Sequence, residues 1–266
     1  MGEIGQHPSM LRFAPNLAFL FTEVEFLERF GAASSAGFTA VEYPFPYAYP
    51  AEQLRARLEE HGLKQVLFNL PPGNWDAGER GIACLPERRG EFQDGVGRAL
   101  EYARVLGCSQ LNCLAGSAPG IAPETAQQTL VENLRFAARE LAAAGIRLLI
   151  EPINTRDMPG FHLCRSEQAL TVCDAVGSPN LWLQFDIYHM QVMQGDLWHS
   201  IERCWPRIAH FQVADNPGRH EPGTGEIAYP FLLREIDRRG YDGWIGCEYR
   251  PRESTLSGLS WLDPYR

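Results

Sequence analysis

The sequence predicts an α/β protein, a closed (β/α)8 TIM barrel with residues 1–266 as a single domain. Three observations predict it. Eight apolar, β-type runs alternate with helical segments or turn-rich connections. The length of 266 residues suits a barrel, which typically needs about 250. No Gly-x-Gly-x-x-Gly follows the first strand, which weakens the open dinucleotide-binding sheet as the alternative.

Strands are expected near Arg12–Ala18, Phe38–Tyr43, Gln65–Leu70, Gln110–Leu114, Arg147–Ile153, Leu181–Ile187, Ile208–Ala214 and Trp244–Tyr249. Residues 1–8, polar and glycine-containing, read as a flexible tail. Between the first two strands, Thr22 can cap a helix running to Ser35, with Gly37 as its stop. Pro50 opens Ala51–Glu60, ended by Gly62. Pro86 opens a helix reaching Leu106, and Pro123 opens one reaching Ala144, with Gly107 and Gly145 as their stops. Ser166 can cap Glu167–Val176, ended by Gly177. Proline at the start and glycine just past the end is the usual helix asymmetry. The weakest element is the last, where Ser254–Arg266 leaves only a short closing segment.

Apolar residues make up 45% and charged residues 21%, the balance of a globular chain with a large core. No apolar run is long enough to span a bilayer and no leader pattern opens the chain, so the cytoplasm is the expected location. A net charge of −9 disfavours nucleic acid or an anionic membrane as partner. The seven cysteines show no Cys-x-x-Cys spacing and read as free thiols. Lys64 is the single lysine, at the entry end of the third strand. Barrel chemistry sits at the exit end, so Schiff-base catalysis is not expected.

Four consecutive strands end in oxygen-bearing side chains: Glu151 after the fifth, Asp186 on the sixth, Gln212 on the seventh and Glu248 on the eighth. Taken singly, each could be a solvated strand-end residue or a salt-bridge partner. Together they could surround one point, because barrel strand ends converge on one face. Three carboxylates and an amide carbonyl form a hard set suited to Mg²⁺ or Mn²⁺ over Zn²⁺. Without a cation the carboxylates would repel, and one or more would keep its proton. A cation there could polarise a carbonyl oxygen and stabilise an enediolate.

His189, three residues past Asp186, is either a donor to a substrate oxygen or a loop histidine. His210 shares the facing of Gln212 one layer deeper, which favours a supporting or core role. The loop from Asp215 to Glu226 holds Arg219, a candidate clamp for a carboxylate. The loop from Pro71 to Gly81 holds Trp75, a candidate wall, and Arg80, a candidate anion contact. The aromatic stretch Tyr43–Tyr47 reads as packing, or as an apolar rim.

These segments carry a resemblance. Arg12–Leu17, Phe68–Gly73, Gly78–Gly81, Glu151–Asp157, Asp186 with His189, and the Asp215–Glu226 loop together resemble the hydroxypyruvate isomerases and their relatives the 2-oxo-tetronate isomerases, within the xylose-isomerase-like barrels. The likeness spans almost the whole chain. It implies one divalent metal held by Glu151, Asp186, Gln212 and Glu248, with the two glutamates moving protons. Ketose 3-epimerases on the same barrel commonly place a histidine where this chain has Gln212, which favours the isomerase branch.

The expected reaction is aldose–ketose-type isomerisation of a small hydroxy-oxo acid, hydroxypyruvate to 2-hydroxy-3-oxopropanoate. The expected substrate contacts are His189, Arg219, Arg80, Arg156, Trp75 and Asn69, with His210 behind them. Since Lys64 is badly placed, one of the three arginines should hold the substrate carboxylate. Rival readings are a 2-oxo-tetronate isomerase, a ketose 3-epimerase, a metal-dependent abasic-site endonuclease (disfavoured by the charge) and a non-catalytic sugar-acid-binding barrel. A homo-oligomer is compatible with the sequence.

Overall fold

The computed structural model describes residues 11–266, so the expected tail, residues 1–8, lies outside the described residues. Eight strands follow in chain order: β1 (Arg12–Pro15), β2 (Ala40–Glu42), β3 (Lys64–Asn69), β4 (Gln110–Cys113), β5 (Arg147–Ile150), β6 (Leu181–Asp186), β7 (Ile208–Val213) and β8 (Trp244–Cys247). All ladders are parallel, in the order β1-β8-β7-β6-β5-β4-β3-β2. The ring closes between β1 and β2 through one parallel bridge, Asn16 to Glu42, with Leu17 N–H donating to the Glu42 carbonyl at 2.8 Å. This is the TIM barrel the alternation predicts.

The strands are short and almost wholly buried, as parallel strands covered on both faces must be. Helices α1 (Arg29–Ser35), α2 (Ala51–Glu60), α3 (Arg89–Leu106), α4 (Pro123–Ala143) and α5 (Ser166–Val176) cover the first five crossovers. Pro123 stands at the first position of α4, and Gly107 and Gly177 take left-handed conformations at the ends of α3 and α5. Helices α6 (Ile187–Met193), α7 (Leu197–Cys204) and α8 (Tyr229–Arg238) lie outside the five helices that the sequence predicts. In α8, Tyr229, Leu232, Leu233 and Ile236 are buried at helical spacing, so the signal was present.

Two expected caps are not made. Thr22 does not start a helix: a 3-10 turn at Phe26–Glu28 leads into α1. The segment is tied elsewhere, because Glu23 accepts from the N–H (2.6 Å) and hydroxyl (3.1 Å) of Thr255, whose Oγ1 accepts from Phe21 N–H at 2.7 Å. Ser166 is the first residue of α5 rather than its cap. Its hydroxyl accepts from Gln194 Nε2 at 2.8 Å instead. The C-terminal stretch closes as a 3-10 helix, Ser257–Tyr265, whose Trp261 packs edge-on against Phe13 of β1 with ring centroids 5.4 Å apart.

The loops after β3 and β4 meet backbone to backbone. A Cβ on Gly81, at φ +112°, would lie 2.4 Å from the Leu114 carbonyl oxygen, and one on Gly116 would lie 2.2 Å from the Gly81 oxygen. Only glycine permits that approach. The seven cysteines are free, six of them buried. Among the described residues no helix is long and apolar enough to cross a membrane.

Candidate active site

Register brings the acids to one level. Asp186, the last residue of β6, pairs with Gln212 of β7, and Gln212 pairs with Gly246 of β8. Glu151 and Glu248 are the residues just beyond β5 and β8. Glu151 is 4% and Asp186 1% exposed. Glu42, Glu151, Gln212 and Glu248 line one cavity of about 570 Å³, part of it open to solvent, walled by Phe45 and Trp75.

The ligand atoms of Glu151, Asp186 and His189 all lie within 4.8 Å of one another, a group that could hold a metal ion. Asp186 Oδ1 accepts from the N–H groups of Tyr188 (2.8 Å) and His189 (3.4 Å) at the start of α6. Its Oδ2 is buried without a hydrogen-bond partner. An orphaned carboxylate oxygen beside a second buried carboxylate is what a hard cation would satisfy, so Glu151 and Asp186 fit a divalent ion. Gln212 Oε1 accepts from Gln184 Nε2 at 2.6 Å, and its Nε2 donates to Glu42 Oε1 (2.7 Å) and Glu248 Oε2 (2.6 Å).

Arg219 is the cation at the centre of this acid cluster. Its Nη2 donates to Glu248 Oε1 at 2.5 Å and lies 3.5 Å from Asp186 Oδ2; its Nη1 lies 3.7 Å from Asp157 Oδ2. The guanidinium packs over the rings of Phe19 (5.0 Å) and Tyr188 (5.1 Å). Burial alone would lower its pKa, but Glu248, Asp186, Glu151 and Asp157 raise it above the usual value. The carboxyls respond in the opposite sense. Burial, then Glu248 and Asp186, pushes Glu151 well above the usual carboxylate range. Burial raises Glu248 to about 8 and Asp186 to about 6, against the opposing pull of Arg219.

The protonation of His189 follows from its neighbours. Asn154 Oδ1 accepts from the Asp157 N–H at 2.8 Å, which leaves Asn154 Nδ2 as the group facing His189 Nδ1 at 2.6 Å. Nδ1 is therefore the acceptor. Burial holds the His189 pKa well below its ordinary value, so the neutral ring carries its proton on Nε2. That N–H faces Asp186 Oδ2 at 3.5 Å and Glu151 Oε1 at 3.8 Å, with Arg219 Nη2, itself a donor, 3.4 Å from the same nitrogen.

The other expected contacts divide. Trp75 and Asn69 line the cavity; Arg80 and Arg156 are not among its lining residues. Arg80 lies 4.1 Å over the Trp75 ring and donates to the Trp75 carbonyl at 2.9 Å, so it holds the wall in place. Arg156 Nη1 reaches Asn216 Oδ1 at 3.4 Å. His210 is fully buried, with Nε2 2.7 Å from Glu42 Oε2 and Nδ1 3.2 Å from Gln110 Nε2. The sequence reading missed Glu42, Asn16, Asn112 and Asn154. Asn112 Nδ2 donates to Glu151 Oε2 at 3.1 Å. Glu42, Asn16 and Asn112 lie in or just past a strand, and that was the available signal; Asn154 lies further out, in the loop after β5.

Eight parallel strands with buried acids gathered at their exit ends define a barrel of enzymatic type. A family model for the xylose isomerase-like TIM barrel matches residues 30–265. The hydroxypyruvate isomerase of Escherichia coli is 53% identical over 97% of this chain and 100% of its own length. The 2-oxo-tetronate isomerase of Cupriavidus necator is 51% identical over 96% and 99%. The crystal structure of AP endonuclease, family 2, from Brucella melitensis superposes with a TM-score of 0.94 at 47% identity, over 96% of this chain and 99% of that one. The chain belongs to the xylose isomerase-like TIM barrel family, among the hydroxypyruvate and 2-oxo-tetronate isomerases, and is itself an isomerase.

Proposed function

We propose that the chain isomerises hydroxypyruvate to 2-hydroxy-3-oxopropanoate by moving a proton between adjacent carbons. The observation that carries this reading is that two glutamates, the buried Glu151 and the half-buried Glu248, line one cavity together with a buried arginine. Glu151 and Asp186, with Gln212 and Glu248 completing the set, would hold a divalent ion, Mg²⁺ or Mn²⁺. When bound, that ion supplies a Lewis acid for the substrate's oxygens and a counter-charge that lets the acids ionise.

The chain's own groups do the rest. Arg219, the one of the three candidate arginines that lines the cavity, binds the substrate carboxylate. One glutamate takes a proton from C3 of the substrate, leaving an enediolate. A proton returns at C2, and the hydroxyl proton moves from O3 to O2, so composition is unchanged. The Nε2–H of His189 donates to a substrate oxygen while this charge develops. Trp75 and Phe45, 5.0 Å apart, exclude water from one side. Each glutamate should contribute roughly 10²–10⁴-fold.

The test is turnover in deuterium oxide with Mg²⁺ or Mn²⁺, followed by proton NMR. Wild-type protein should form the 3-oxo product and exchange the substrate C–H, and Glu151→Gln and Glu248→Gln should not. Near wild-type rates in both variants would sink the proton-transfer roles. Binding without exchange would point to a non-catalytic barrel. The 51% relative supports a second reading, a 2-oxo-tetronate substrate, and turnover of that acid alone would select it. Nuclease action is disfavoured by the net charge of −9.

A further inference from the structure

Glu42 has no part in the reaction above, yet it is 1% exposed and borders the cavity. Its hydrogen bonds tie it to Glu248. Asn16 Nδ2 donates to Glu42 Oε1 at 3.2 Å and to Glu248 Oε2 at 2.7 Å. Gln212 Nε2 donates to the same two oxygens, at 2.7 and 2.6 Å. Two amide groups thus bridge the same two carboxylates, and each spends both its N–H bonds doing so.

Neither amide is free to turn over. Asn16 Oδ1 accepts from the Ala18 N–H at 3.0 Å, and Gln212 Oε1 accepts from Gln184 Nε2 at 2.6 Å. A flip would set amide oxygen against carboxylate oxygen on one side and donor against donor on the other. Behind Glu42, Gln110 Nε2 meets His210 Nδ1, so His210 Nε2–H donates to Glu42 Oε2 at 2.7 Å. Space is reserved as well: a Cβ on Gly246 would lie 2.4 Å from Glu42 Oε1 and 2.5 Å from Oε2. The result is a Glu248 carboxylate with Oε2 held by two amides and Oε1 on Arg219.

We propose that Glu42 is a positioning residue, which sets the two amides and through them aims the Glu248 carboxylate at the reacting carbons. Its own oxygens are taken up by Asn16, Gln212 and His210. The inference rests on Glu248 transferring a proton, as proposed above. In Glu42→Gln, a side-chain amide replaces an acceptor that faces three donors. One of the bridging amides must turn or lose its bond, and Glu248 loses its fixed plane. Misplacement of a reacting group by about 1 Å can cost about 10²-fold.

The experiment compares kcat and KM of Glu42→Gln, Glu248→Gln and the double variant with Mg²⁺ and hydroxypyruvate, alongside thermal melts. The expected result is a kcat lowered about 10–100-fold in Glu42→Gln, with KM changed less than about threefold. In the Glu248→Gln background, Glu42→Gln should lower kcat no further, because residues acting through one group are not additive. Full additivity, or a wild-type kcat in Glu42→Gln beside a slow Glu248→Gln, would overturn the positioning role and leave the proposed reaction standing. A wild-type kcat in Glu248→Gln would overturn both. Should Glu42→Gln not fold, Gly246→Ala keeps the charge and pushes the carboxylate. It should show the same loss of kcat with little change in KM, and a wild-type kcat would overturn the proposal.

Discussion

Asn154 Nδ2 meets His189 Nδ1 at 2.6 Å, and with Asn154 Oδ1 already accepting from a backbone N–H, that contact decides where the imidazole proton resides. Asn154→Asp replaces the donor with an acceptor and moves the proton to Nδ1. The expected outcome is a kcat lowered about 10–100-fold with the fold retained, by loss of a donor to developing charge. Nitrogen-15 NMR of the His189 ring checks the tautomer independently of rate.

Arg219→Met should raise KM for the acid substrate about 10–100-fold, the worth of a charge-assisted contact of about 1.5–3 kcal/mol. Arg80→Met and Arg156→Met should leave KM within about twofold, since neither lines the cavity. Steady-state kinetics on the three variants decides among them. An effect confined to Arg80 or Arg156 would count against Arg219 as the carboxylate clamp.

The raised carboxyl pKa values make stability depend on pH. Burial pushes Glu248 up to about 8, against an ordinary value of 4.5, and Asp186 up to about 6, although Arg219 and Gln212 favour the ionised Glu248. The folded state therefore binds protons the unfolded state has released, and stability in chelator should fall as pH rises from about 4.5 through about 8. Thermal melts with EDTA from pH 5 to 9 check the sign. A divalent ion should restore stability most strongly at the alkaline end.

The same protons must leave when a cation binds. Mn²⁺ affinity should rise with pH up to about 8, and binding should release protons. Calorimetry in buffers of different ionisation enthalpy measures that release. A pH-independent affinity would contradict the buried acids as ligands.

Gly81→Ala should cost on the order of 2–4 kcal/mol, because both the positive φ and the Leu114 carbonyl oppose a Cβ. A melting temperature lower by several degrees is the expected reading, with the acids of the site still in place.

Much of the barrel and its acids was legible because the signals are local. Pro123 and Gly107 punctuate helices within a few residues, and Glu151, Asp186 and Glu248 follow apolar runs that can hardly be anything but strands. What stayed hidden depends on distant partners. Thr22 has the residue type of a cap, but Glu23 beside it is held by Thr255 from the far end of the chain. Arg80, Arg156 and Arg219 all lie in loops that follow strands; only the fold sends Arg219 inward, past Phe19 and Tyr188. Glu42 sits in a three-residue strand that shows no alternation, and its meaning comes from Asn16 and Gln212, brought beside it by barrel closure.

Lys64 is the chain's single lysine, exposed at the entry end of β3, on the face opposite the acids. Amine-directed coupling through side chains thus has one address. A support or dye attached there would orient every molecule alike, with the mouth of the barrel turned toward the solution.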